Sequence, residues 1–147
     1  MKTISVNKKA RFKYQLLDRF EAGLELRGTE VKSLREGRVS INESFGRMRG
    51  DEAFLINMDI PPYEAGSVHN HERKRVRKLL LHRRELKKLN GAVSQKGFTL
   101  VPVKLYFKRG WAKVELAVAK GKTRYDKRET IKGREARKEI QRAKRRR

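Results

Sequence analysis

The stretch FKYQLLDRFEAGLEL, residues 12–26, decides the fold. Its even positions are Phe12, Tyr14, Leu16, Asp18, Phe20, Ala22, Leu24 and Leu26, and of these only Asp18 is charged. The odd positions hold Lys13, Gln15, Leu17, Arg19, Glu21, Gly23 and Glu25, where Leu17 is the one large apolar side chain. A period of two over such a span predicts a long strand with one face buried. Gly23 is read as the site of a bulge, which a long curved strand often needs.

The flanking sequence extends this reading. GTEVKSLREG (28–37) predicts a short helix, with Thr29 as cap, Glu30 in the electropositive first turn and Gly37 closing the last. Strands are expected over 45–49 and 53–60, joined by a tight turn, with Pro61-Pro62 ending the second. LLLHRRELKKL (79–89) becomes helical in its later part. There His82 can cap and Glu85 can reply three positions on. Leu86, Leu89 and Val93 share a helical face, and Asn90-Gly91 reads as a break. Strands over 99–107 and 111–119 follow, joined by Lys108-Arg109-Gly110. Val101, Val103, Leu105 and Phe107 are expected on one face of the first, and Val114, Leu116 and Val118 on one face of the second. The fold class is therefore mainly β. An OB-like antiparallel barrel of about six strands with two or three short helices is expected. A flat α+β sandwich is the alternative, and periodicity does not decide between them.

Charge divides the chain near residue 120. Residues 1–119 hold 26 basic and 13 acidic residues with nearly all the large apolar ones, and residues 120–147 hold 14 basic and 4 acidic. The first segment is read as the folded domain. The second is a basic tail that cannot bury a core, disordered alone and biased to helix once its charge is neutralised. Across 147 residues the net charge is +23, which asks for a polyanion, and nucleic acid is the commonest one. The absence of cysteine excludes disulfides, thiolate zinc sites and Cys nucleophiles. No apolar run approaches the roughly 20 residues of a membrane span, and no signal peptide is visible. A cytoplasmic protein with no membrane partner is expected.

Catalytic signatures are lacking. Carboxylates are scattered singly, and no P-loop, G-x-G-x-x-G or G-x-S-x-G occurs. His69 and His71 form an H-x-H pair in a basic loop without an acidic cluster beside it, so phosphate contact or simple exposure is the better reading than metal. No enzyme activity, cofactor or metal site is expected. Glu21, on the polar face of its strand, can accept hydrogen bonds from bases or sugars, although an ion pair with a neighbouring cation is the simpler role. Lys113 alternates with Val114 and points outward; Trp111 shares that parity and can stack on a base, with packing in the core or at a rim as the equal alternative. Runs 72–78 and 83–88 can track a phosphate backbone. With no recognition helix or zinc finger, folded RNA read by shape fits best.

Several stretches, in order along the chain, closely resemble the SmpB family of bacterial tmRNA-binding proteins. They are NKKARFKY (7–14), FEAGLELRGTEVKSLREGRVSI (20–41), DEAFL (51–55), RKLLLHRREL (77–86), GFTLVPVKLYFKRGWAKVELAVAKGK (97–122) and YDKRETIK (125–132). The resemblance implies an adaptor of trans-translation that binds the tRNA-like domain of tmRNA and stands in for a missing anticodon arm. Delivery with elongation factor Tu through alanyl-tmRNA is implied too. On a stalled 70S ribosome the tail would enter the empty mRNA channel, beside 16S rRNA at the decoding centre, and become helical. By matching position, Glu21, Leu80 and Lys113 are implied as tmRNA-binding, which replaces the ion-pair reading of Glu21. Asn7, Arg11, Lys32, His82 and Lys122 are weaker candidates. Tyr125, Asp126, Lys127, Arg128, Ile131 and Ile140 are implied at the decoding centre and channel. The alternative is a generic ribosome-associated protein that binds structured RNA.

Overall fold

The computed structural model describes residues 1–65 and 69–121. The expectations for Lys122, Tyr125, Asp126, Lys127, Arg128, Ile131 and Ile140, and for the state of the tail, lie outside these residues.

Seven strands and three helices alternate along the chain: β1 (Lys2–Val6), α1 (Ala10–Lys13), β2 (Tyr14–Leu24), α2 (Gly28–Arg35), β3 (Phe45–Arg49), β4 (Glu52–Ile56), β5 (Arg77–Leu80), α3 (Arg83–Val93), β6 (Phe98–Lys108) and β7 (Trp111–Gly121). The antiparallel sheet runs β1-β6-β3-β4-β5-β2-β7, and β6 also pairs with β7. Six strands thus form a ring, to which β1 adds on the edge of β6. This closed sheet agrees with the OB-like expectation and excludes the flat sandwich. The ring closes on the β3 side at Gly46, whose register partner is Leu100. A Cβ on Gly46 would lie 2.7 Å from the Leu100 Cβ, so only glycine lets these strands meet.

The long strand is two faces joined by a bulge. β2 pairs with β7 from Tyr14↔Gly121 to Leu16↔Ala119, then resumes at Arg19↔Ala117. The extra residue lies at Leu17–Asp18, both exposed, and not at Gly23. It inverts the alternation. Tyr14 and Leu16 pack with Ala10, Val101 and Val103 in an outer cluster, whereas Ala22 and Leu24 enter the ring's core. Asp18, the one charged even position, marked the spot. A second bulge in β6 follows Pro102, where the register shifts before Lys104. Proline has no ladder N–H and is tolerated at such a break. The expectation that Val101, Val103, Leu105 and Phe107 share a face therefore fails. Val101 and Val103 face the outer cluster, and Leu105 and Phe107 face the core.

Three local expectations also change. Residues 12–13 belong to α1, where Asn7 Oδ1 accepts the Ala10 N–H at 3.2 Å, so β2 starts at Tyr14. Strand β1 holds two apolar residues, the half-buried Ile4 and the exposed Val6, and no strand is expected there. Helix α3 runs through Asn90-Gly91 to Val93, because Leu89 is fully buried beside Leu100 and Val118, with Val93 packed on the same cluster. Packing outweighs the local cost of glycine there. In contrast, Gly37 closes α2 as expected: its N–H reaches Leu34 O at 2.9 Å, and that of Arg38 reaches Ser33 O at 3.0 Å. Strand β7 runs on to Gly121, past the boundary expected at residue 119.

A buried ionic cluster ties α2 to β5. Glu30 and Arg77 are both fully buried. Glu30 Oε2 accepts from Arg77 Nε, and Oε1 accepts from Arg75 at 2.5 Å and from the Arg27 N–H at 2.8 Å. The other Arg77 donors reach the carbonyls of Met58 (2.7 Å), Arg75 (3.0 Å), Arg73 (3.1 Å) and Glu72 (3.5 Å). Burial alone would push the Glu30 carboxyl up, but these donors outweigh it and hold it below the usual value. Thr29 does not cap α2. Its hydroxyl meets His71 Nδ1 at 2.9 Å, while Nε2 lies 2.8 Å from Ile60 O. The carbonyl can only accept, so Nε2 carries a proton and donates it. His71 is thus a buried structural histidine, contrary to the exposed or phosphate-binding role expected.

Glu30→Gln leaves Arg77 buried without its counter-charge and should cost about 3 kcal/mol or more in denaturant unfolding. A depressed folded-state carboxyl stabilises fully above its unfolded value, and that stabilisation is lost as pH falls through the folded value. Wild type should therefore lose more stability between about pH 5 and pH 2 than Glu30→Gln. Parallel acid profiles would contradict the cluster's role. Gly46→Ala should cost about 1–3 kcal/mol by overpacking against Leu100.

Candidate nucleic-acid interface

Four strands bring the main candidates into one row. Tyr106 on β6 pairs with Lys113 on β7, Lys113 with Gly23 on β2, and Gly23 with Leu80 on β5. Alternation fixes the direction of the side chains. Ala112, Val114 and Leu79 face the core, so Lys113 and Leu80 point outward. Glu21, two residues before Gly23, shares that outer face. A cleft of about 570 Å³ results, lined by Glu21, Leu80, His82 and Lys113 together with Lys78 and Glu52.

Gly23 has a different use from the one expected. A Cβ there would lie 3.3 Å from the Leu80 Cβ and 3.7 Å from the Lys113 ammonium. The missing side chain lets both close over the strand. Leu80 is 48% exposed, a large apolar side chain held in a polar cleft where it can pack against an unstacked base.

Glu21 is held as an anion. The buried Tyr106 hydroxyl donates to Oε2 at 2.5 Å, and the Lys108 ammonium lies 3.4 Å from both oxygens. The tyrosine's hydrogen bond is the main cause that keeps the carboxyl below its usual value, with Lys108 and Lys113 adding to it. Burial first, and then the Glu21 carboxylate, push the Tyr106 hydroxyl well above its ordinary value, so it stays a donor. The result is a fixed acceptor beside a cation and an apolar surface, a combination that basic residues alone do not supply.

The remaining candidates are spread out. His82 caps α3, and Glu85 accepts its backbone N–H at 3.2 Å. Lys32 is exposed on α2, its ammonium 5.5 Å from the Tyr63 ring centre. Arg11 is exposed on α1. Asn7 is buried, with Nδ2 donating to Pro102 O at 2.8 Å, so its polar atoms serve the fold. Trp111 is 72% exposed at the hairpin end and does not pack in the core. Lys78 is expected only as one charge of the run 72–78, and the structure places it at the cleft. Its signal was its parity with Leu80 on one short strand.

Among the described residues no helix is long and apolar enough to cross a membrane, and no group of three His, Asp or Glu is placed to hold a metal. The SmpB protein family model matches residues 4–146. An SsrA-binding protein of Geobacillus thermodenitrificans is 57% identical over 142 residues, covering 97% of this chain and 92% of that one. One from Trichodesmium erythraeum is 53% identical over 143 residues, with the same coverage of each. A solved chain described as "tmRNA-SmpB: a journey to the center of the bacterial ribosome" superposes with a TM-score of 0.69 at 50% identity, covering 86% of this chain and 93% of that one.

Tyr106→Phe removes the main donor to Glu21 and should raise the Glu21 carboxyl toward its usual value, read by NMR pH titration. An unchanged titration midpoint would contradict the assignment of that hydrogen bond.

Proposed function

Because the chain belongs to the SmpB family, we propose that it is a tmRNA-binding adaptor of trans-translation. The observation that carries this is the convergence of Glu21, Leu80 and Lys113 in one cleft from three strands. Lys113 supplies a phosphate contact, Leu80 an apolar seat for a base, and Glu21 an acceptor for base or sugar donors. Such a mixed set suits the folded elbow of a tRNA-like domain better than a plain duplex. The body then fills the place of an anticodon arm.

The reading extends to the tail. With 14 basic residues among the last 28, it suits a channel walled by RNA. Helix formation there would be coupled to binding, so an mRNA already in the channel excludes it. Tyr125, Asp126, Lys127 and Arg128 would lie at the decoding centre, with Ile131 and Ile140 further along the channel. Arg11, Lys32, His82 and Lys122 would add contacts to tmRNA or the ribosome, while Asn7 holds the fold. The protein works by binding, in the cytoplasm with the 70S ribosome, and is delivered with elongation factor Tu through alanyl-tmRNA.

Glu21→Ala, Leu80→Ala and Lys113→Ala should each weaken binding to the isolated tRNA-like domain about tenfold, on the scale of one lost base or phosphate contact, without a change in far-UV circular dichroism. Unchanged affinity in all three would refute the site. Removing residues 122–147 should leave tmRNA binding within about twofold and abolish tagging on stalled ribosomes. Loss of tmRNA binding instead would refute the division of labour.

A further inference from the structure

The outer face of the sheet continues past the cleft onto strands that the proposed site does not use. Lys78 lies on β5 at the rim of the cleft, and its register partner on β4 is Phe54. The register partner of Phe54 on β3 is Arg47. The three form a cross-strand row, outward because Ala53 and Leu55 on either side of Phe54 are fully buried in the core. Beside the row is a groove of about 500 Å³ whose lining includes Arg47, Arg49, Phe54, Ile56 and Val76. Val76, a large apolar side chain, is 52% exposed. Arg47 and Arg49 are exposed, and neither is paired with a carboxylate among the described residues.

We propose that this groove is a second RNA contact, in which an unpaired base stacks on Phe54 while Arg47, Arg49 and Lys78 hold the flanking phosphates. An aromatic ring between cations on adjacent strands matches the repeat of a single strand, where each base is followed by a phosphate. Ile56 and Val76 supply the apolar floor that a duplex backbone would leave dry and unused. The cations set the occupant's charge, and Lys78, which lines the cleft beside Glu52 at 3.5 Å and is the register partner of Phe54, stands between groove and cleft. The inference rests on the chain being an RNA binder, but not on which RNA fills the cleft.

The test uses the full chain and two probes: a uridine-rich single-stranded RNA dodecamer and the isolated tRNA-like domain. Arg47→Gln/Arg49→Gln should weaken the dodecamer about tenfold and reduce its logarithmic salt slope by about 1.4. The same charge removed elsewhere, as Lys8→Gln/Lys96→Gln, should change its affinity by less than about threefold. Phe54→Leu should also weaken it about tenfold, and Phe54→Tyr should restore it. Ultraviolet cross-linking followed by peptide mapping should place an adduct on Phe54. Equal loss from both charge-removal variants, or adducts only on other peptides, would overturn the groove. The tRNA-like domain should bind all these variants within about threefold. The Glu21, Leu80 and Lys113 variants test the cleft separately, so either site can fail alone.

Discussion

The fold depends on where Arg77 spends its donors. One N–H goes to Glu30 on α2 and the others to carbonyls of Met58, Glu72, Arg73 and Arg75. The guanidinium thus fastens the loop before β5 to the helix after β2. Strand β5 is only four residues long, with two register pairs to β2 and three to β4. Backbone pairing alone would hold it weakly. The ion cluster fixes its entry, and its outer face then sets Lys78 and Leu80 at the cleft. A buried pair of this kind is a poor source of net stability, since desolvation offsets much of the attraction. Its effect is positional, because no alternative register of β5 would satisfy five donors at once.

The two bulges do complementary work. They invert β2 and β6 beside the shared neighbour β7, so one pair of long strands serves both the ring's core and the outer cluster under α1. After the β2 bulge, the outer face carries Glu21 and Gly23. Without the inversion the same period would place Glu21 inside. The glycine then lets Leu80 and Lys113 close over β2. The buried Tyr106 hydroxyl keeps Glu21 charged. Core geometry and surface chemistry are linked through single residues of β2.

Much of this was legible in the sequence. Periodicity located β2, β3, β4, β6 and β7, Gly37 marked the end of α2, and His82 with Glu85 marked the start of α3. Position-by-position likeness to the SmpB family singled out Glu21, Leu80 and Lys113; periodicity alone left Glu21 as an ion-pair partner and Lys113 as an outward cation. What escaped was non-local. The Glu30–Arg77 pair joins residues 47 apart, and nothing in GTEVKSLR marks its glutamate as buried rather than a helix-dipole partner. The same holds for His71, whose partners Thr29 and Ile60 come from other segments. Strand β1 is mostly exposed, with Ile4 and Val6 its two apolar residues, and so left little pattern. The bulge in β2 did leave one, the charge at Asp18, but Gly23 offered the more familiar signal.

A protein of charge +23 binds many RNAs through counterion release alone. Specificity has to come from the features that charge does not explain: an acceptor, an apolar side chain and a cation held at fixed spacing in one cleft. The most direct test is a competition gel shift at near-physiological salt, with labelled tmRNA tRNA-like domain against unlabelled tRNA and a length-matched structured RNA. The account predicts that the tRNA-like domain outcompetes both by at least about tenfold, the discrimination that one or two fixed contacts supply. Equal competition by all three would mean that charge alone drives binding, and would contradict the adaptor reading.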